Sequence, residues 1–195
     1  MWSAAILAGG QARRFGGRDK STLVVEGRTI LERQIAELTT LTTDILIVGG
    51  RGATLGPARI VADTIAGRGP LGGLHTALGE SQADATIVIA CDMPYVVAPF
   101  LHHLLSLTRD ADAVVPRTER GYHPVCAAYT RACLAAAAAR LAEGRLKLID
   151  LLDDVRLRVV TTTEIDAFGD HRRLLANVNT PAEYGGLEAL ERHQL

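Results

Sequence analysis

Short, unbroken apolar runs punctuate the chain: Ala4-Ala-Ile-Leu7, Ile45-Leu-Ile-Val48 and Ala85-Thr-Ile-Val-Ile-Ala90, each closing within two residues of a glycine or an aspartate. A strand with one wet face alternates apolar and polar residues. These runs do not alternate, so as strands they must be covered on both faces. Helical segments lie between them. Thr29 to Leu38 places Ile30, Leu31, Ile35 and Leu38 on one side of a helix, and Leu71, Leu74 and Leu78 repeat the spacing. The pattern therefore demands a three-layer α/β fold, a mostly parallel open sheet with helices on both faces.

In chain order, Trp2–Ala8 reads as the first strand, the Thr29–Leu38 helix follows, and Asp44–Val48 completes a βαβ unit. Arg59–Ala62 is a weaker strand ending at Asp63, after which Ala66-Gly-Arg-Gly-Pro-Leu-Gly-Gly73 leads into the second helix. Ala85–Ala90 reads as the central strand and runs into Cys91-Asp92-Met93-Pro94, where proline ends regular pairing. A helix over Val97–Leu107, strands at Ala111–Val115 and Val125–Tyr129, and an alanine-rich helix from Arg131 to Ala142 come next. Leu148–Leu152 reads as a short helical piece and Arg156–Thr161 as a strand. Thr180, Pro181 and Glu183 form a capping box that starts a last helix. With 195 residues, 48% of them hydrophobic, one domain over 1–195 can bury a substantial core.

Open sheets of this kind bind ligands at the carboxyl ends of their strands. Three features meet there: the loop after the first strand, Asp63 and Asp92. That loop, Gly9-Gly10-Gln-Ala-Arg-Arg-Phe-Gly-Gly-Arg-Asp-Lys20, sets Arg13, Arg14, Arg18 and Lys20 against the single acid Asp19. Glycines let backbone N–H groups approach an anion, and the cations concentrate positive charge on an otherwise balanced chain. Lys20-Ser21 follows Arg18-Asp19 instead of a glycine, which is not the spacing of a P-loop. Nor does Gly9-Gly10 continue as the dinucleotide fingerprint. The residue types fit a triphosphate held by backbone and lysine beside a magnesium ion held by a carboxylate, with Asp92 as the ligand. Asp63 competes as a cap for the following segment, and His123, before Pro124, as a structural turn residue. His102 and His103 are expected on a solvated helix face.

A net charge of −1 and an aromatic content of 4% speak against a nucleic-acid partner, which calls for a basic surface or stacking platforms. Cys91, Cys126 and Cys133 are odd in number and form no Cys-x-x-Cys pair, as expected for reduced thiols in the cytoplasm. The apolar opening is too short for a signal peptide, and no run reaches the roughly 20 residues that span a bilayer.

The ordered set Leu7-Ala-Gly-Gly10, Arg13-Arg-Phe-Gly16, Asp19-Lys20, Gly69-Pro-Leu-Gly-Gly73, Cys91-Asp-Met-Pro94 and Asn177-Val-Asn-Thr-Pro181 resembles the molybdenum cofactor guanylyltransferases nearly end to end. The resemblance implies a Rossmann-like, glycosyltransferase-A-like nucleotidyltransferase fold. It implies that Leu7, Ala8, Gly9 and Gly10 contact a guanine nucleotide and that Lys20 faces its phosphates. Asp63 would touch the nucleotide, Asp92 would hold both Mg2+ and nucleotide, and Arg14 would stabilise departing pyrophosphate. Asn177 and Asn179 would lie near the pterin or the reacting phosphate. GTP and molybdenum-molybdopterin are the implied substrates, with transient contact to molybdopterin carrier proteins or apo-molybdoenzymes. Val48-Gly49-Gly50 stands where some relatives carry asparagine, so Val48 is assigned no role. Three alternatives stay open on the residues alone: a CTP-dependent molybdopterin cytidylyltransferase, a sugar-phosphate nucleotidyltransferase and a non-catalytic nucleotide-binding module.

Overall fold

The computed structural model describes residues 1–8, 23–50, 56–65 and 67–178. The expected last helix from Thr180 lies outside them. Strand β1 (Trp2–Leu7) is followed by a small hairpin, β2 (Val24–Val25) and β3 (Arg28–Thr29), and by helix α1 (Ile30–Thr39). Then come β4 (Ile45–Val48), β5 (Arg59–Val61), α2 (Gly69–Glu80), β6 (Ala85–Ala90) and α3 (Ala98–Ser106). The second half adds β7 (Ala113–Thr118), β8 (Gly121–Tyr122), β9 (Cys126–Thr130) and α4 (Cys133–Ala142). A 3-10 turn over Leu148–Asp153 leads to β10 (Leu157–Val160), α5 (Thr162–Asp166) and α6 (His171–Leu174).

The main sheet has eight strands in the order β10-β7-β9-β6-β1-β4-β5, with β8 paired to β7. β1 runs parallel to β4 and β6, β4 parallel to β5, and β7 parallel to β10. β9 runs antiparallel between β6 and β7. Alternate residues of each strand feed two cores. On one face Ile6, Ile47, Ile87 and Ile89 pack with Leu38 of α1 and Phe100 and Leu104 of α3. On the other, Ala5, Leu46 and Val88 pack with Leu71 and Leu74 of α2 and Ala137 of α4. Each fully buried aliphatic side chain contributes about 1.5–3 kcal/mol, which explains why the unbroken apolar runs form the sheet centre.

The expected elements are found with small shifts that have local causes. β7 starts at Ala113 and not Ala111, after a bend at Asp112, whose carboxylate accepts from the Arg156 guanidinium at 2.8 Å. The alanine-rich helix starts at Cys133 and not Arg131, since Arg131 still donates its backbone N–H to Asp84 O at the strand's end. α1 begins with a reciprocal capping box between Thr29 and Glu32. The β2–β3 hairpin turns through Glu26 and Gly27 with φ of 50° and 77°, the left-handed pair that a two-residue hairpin needs. Among the described residues no helix is long and apolar enough to cross a membrane.

Candidate active site

The sheet order reverses at β1, since its chain continues to β4 on one side while β6 lies on the other. Such a switch point opens a crevice beyond the carboxyl ends. The register sets those ends level: Leu7 stands beside Val48 and Ala90. The N–H of Cys91 donates to Leu7 O at 3.2 Å and that of Ala8 to Val48 O at 2.9 Å, which extends the ladder past the last paired residues. The start of α2 comes close to the same edge. A Cβ on Gly73 would lie 3.2 Å from Leu7 Cδ2, so glycine there lets the helix approach β1. Leu7 and Ala8 are thus placed at the crevice. Gly9, Gly10, Arg14, Lys20 and Asn179 lie outside the described residues.

Asp92 sits on the turn directly after β6 and is held from two sides. Asn177 donates its Nδ2 to the Asp92 carboxylate at 3.1 Å, and Val178 N–H donates to Asp92 O at 2.9 Å. Residues 85 positions apart in the sequence therefore share one turn. The buried Gln34 of α1 donates Nε2 to Ala90 O at 2.7 Å and Met93 O at 3.0 Å, and Arg33 Nε donates to Pro94 O at 3.0 Å. Neither α1 residue was expected from sequence at this site. The available signal was a glutamine lying on the apolar stripe of Ile30, Leu31, Ile35 and Leu38.

Asp63 is engaged in local structure. Its Oδ1 accepts from Ile65 N–H at 3.2 Å and from the Thr76 hydroxyl at 3.1 Å. Thr76, fully buried on α2, also accepts from Thr64 N–H at 3.1 Å and bonds Gly72 O at 3.0 Å. Asp63 thereby ties the end of β5 to the first turns of α2, the capping role that competed with nucleotide contact.

A charged aromatic cluster backs the Asp92 turn. Glu26 bridges Arg33 at 2.7 Å and Arg173 at 2.8 Å, and the two guanidiniums stand 5.7 and 4.3 Å from the Tyr95 ring centre. A cavity of about 530 Å³ opens on this α1 side, lined by Arg28, Arg33, Glu37, Tyr95, Asp170 and Arg173. Asp63, Asp92 and Asn177 are not among its lining residues.

The remaining reactive side chains have structural surroundings. Cys126 and Cys133 are buried, and burial pushes both thiols up to about 12, which leaves them unreactive. Cys91 is partly buried and packs against the core that holds Ile6 and Phe100. His123 Nε2 pairs with Thr118 Oγ1 at 2.9 Å, and burial lowers its pKa, as suits a turn histidine. His103 is half-buried against Phe168, with ring centres 5.1 Å apart, and is not solvated as expected. Its exposed neighbour His102 meets Trp2 edge-on at 5.1 Å. Among the described residues, the His, Cys, Asp and Glu side chains gather closely enough to share an ion at Asp166, Asp170 and His171, not at Asp92. Magnesium, however, takes only one or two protein carboxylates when phosphates and water supply the rest of its shell, so a partly exposed Asp92 on a fixed turn is a fitting donor.

Comparison with known proteins places this geometry. Residues 4–157 match the MobA-like NTP transferase domain. The chain is 33% identical to the "Probable molybdenum cofactor guanylyltransferase" of Pelotomaculum thermopropionicum, over 93% of this chain and 89% of that one. It is 30% identical to the "Molybdenum cofactor guanylyltransferase" of Desulfosudis oleivorans, over 94% and 93%. Among solved structures, molybdopterin-guanine dinucleotide biosynthesis protein A of Archaeoglobus fulgidus shares the fold with a TM-score of 0.83 at 22% identity, covering 99% of this chain and 100% of that one. The 2-C-methyl-D-erythritol 4-phosphate cytidylyltransferase of Thermus thermophilus does so with 0.72 at 18%, covering 98% and 100%. A mostly parallel sheet with its crevice at the β1–β6 switch point, and a family match that spans both of those strands, make the chain a nucleotidyltransferase that belongs to the MobA-like NTP transferase family.

Proposed function

We propose that the protein transfers GMP from Mg-GTP to the terminal phosphate of molybdenum-molybdopterin, yielding molybdopterin guanine dinucleotide and pyrophosphate. The observation that carries the reading is the Asp92 carboxylate, fixed by Asn177 on the turn beside the end of β1. The names of the curated relatives, molybdenum cofactor guanylyltransferases, support a guanine base and a molybdenum cofactor as the acceptor.

In the proposed reaction an oxygen of the pterin phosphate attacks the α-phosphorus of GTP. A new P–O bond forms, the bond from the α-phosphorus to the oxygen bridging toward the β-phosphate breaks, and pyrophosphate leaves with that electron pair. Magnesium, when bound, neutralises charge on the phosphates. Asp92 would hold it, and the Asn177 amide would keep one carboxylate oxygen turned away from rotation. Leu7 and Ala8 would support the nucleotide at the end of β1. Lys20 and Arg14 would take up charge gathering on the leaving pyrophosphate, and Gly9 and Gly10 would let backbone N–H groups reach it. Asn179 would face the acceptor.

The test is pyrophosphate release from GTP that depends on added molybdopterin. Equal or faster release from CTP overturns the base assignment, and release with a sugar 1-phosphate but not with the pterin overturns the acceptor. GTP binding without release for any acceptor leaves a binding module. Asp92→Asn keeps an acceptor for Asn177, and should lower turnover by about 100-fold or more while GTP affinity changes far less.

A further inference from the structure

We infer that Gln34 is a positioning residue for the reaction, holding the turn that presents Asp92 to the metal and the nucleotide; this rests on the Mg-GTP reading proposed above. Gln34 is fully buried on α1, and its single carboxamide nitrogen donates to the carbonyls of Ala90 and Met93, the residues on either side of Cys91-Asp92. Both acceptors are carbonyl oxygens, so only the nitrogen end of the amide can face them. Met93 precedes a proline, which has no N–H, and the turn leans on outside donors: Ala90 O and Met93 O accept from Gln34, Asp92 O from Val178, and Pro94 O from Arg33.

Packing does not account for a glutamine at this position. Among the described residues its Oε1 is buried without a hydrogen-bond partner, so the amide carries a desolvation cost that leucine or methionine would avoid on the same apolar stripe. What the glutamine contributes is the separation and direction of two carbonyls, and through them the seat of the Asp92 carboxylate.

Two variants of the full chain separate this role from a core role. Gln34→Met keeps the length and removes both donors; Gln34→Glu keeps the shape and sets an acceptor against two carbonyls. Binding of Mn2+ in the presence of GTP, read by electron paramagnetic resonance, should weaken about 10- to 100-fold in Gln34→Met, with kcat falling in step and GTP affinity in metal-free buffer unchanged. As pH is lowered, the buried acid of Gln34→Glu gains a proton and can donate once more, so its Mn2+ affinity should recover relative to Gln34→Met at the same pH. A Gln34→Met protein that melts lower yet binds Mn2+ and turns over like the wild type refutes the positioning role alone. A wild type that binds no Mn2+ with GTP refutes the Mg-GTP reading and this role with it.

Discussion

Replacing Thr76 with valine deletes one hydroxyl from the junction of β5 and α2 while conserving the side chain's shape. That oxygen accepts from Thr64 N–H at 3.1 Å, meets the Thr64 hydroxyl at 2.8 Å, and offers its own hydrogen to Gly72 O and Asp63 Oδ1 at 3.0 and 3.1 Å. Valine strands the part-buried Thr64 N–H, and Asp63 keeps only its Ile65 contact at this oxygen. Losing two net hydrogen bonds at about 0.5–1.5 kcal/mol each gives an expected loss of about 1–3 kcal/mol. For a chain of this length that corresponds to a melting temperature lower by about 2–12 °C. Urea unfolding of Thr76→Val, Asp63→Ala and the double variant measures both the loss and the coupling, which should be at least about 0.5 kcal/mol for residues in one network. Additive losses, or a Thr76→Val protein within about 0.5 kcal/mol of wild type, refute the view that Asp63 acts through this staple. If Asp63 also touches the nucleotide, Asp63→Ala weakens GTP binding beyond anything seen in Thr76→Val.

Asn177→Ala removes the hydrogen bond to the Asp92 carboxylate; bonds to charged groups are worth about 1.5–3 kcal/mol, so kcat/KM should fall about 10-fold or more, and an unchanged value refutes the contact's role. His171 Nδ1 donates to Asp166 Oδ1 at 2.8 Å, with Glu119 and Asp170 also facing the ring, and the Asp166 contact raises its pKa. A raised histidine stabilises the fold fully below its unfolded value of about 6.5 and loses that contribution as pH climbs through the higher folded value. The melting temperature should therefore decline as pH rises above about 6.5, and His171→Gln should flatten the decline; parallel curves for the two proteins refute the assignment.

The sheet could be read in the sequence because its central strands are buried on both faces and advertise this as unbroken apolar runs. Asp92 was legible for the same reason, standing where β6 stops. The direction of β9 was implicit too: Val115 and Val125 are joined by a stretch with no helical spacing, too short for a parallel crossover. What stayed hidden was contact across long separations. Nothing in the spacing of Asn177 and Asp92 brings them to 3.1 Å, because that meeting depends on how α5 and α6 return the chain to the carboxyl edge. Gln34 looked like an imperfection in an amphipathic helix, and only the backbone it faces gives it meaning. The rival reading of Asp63 as a cap was already present in the Asp-Thr pair, and Thr76 supplies its partner.

The reversed strand β9 divides the labour of the sheet. Because it begins at the edge where its parallel neighbours end, the chain between β7 and β9 lies on the same side of the sheet as Leu7 and Asp92. A hairpin tip there can lengthen without disturbing any strand register, at a closure cost of only about 0.6 kcal/mol for each doubling. That flank of the crevice is thus free to diversify while the strands beneath it keep their places. That freedom gives a single scaffold a physical route to new ligands without a change in its sheet.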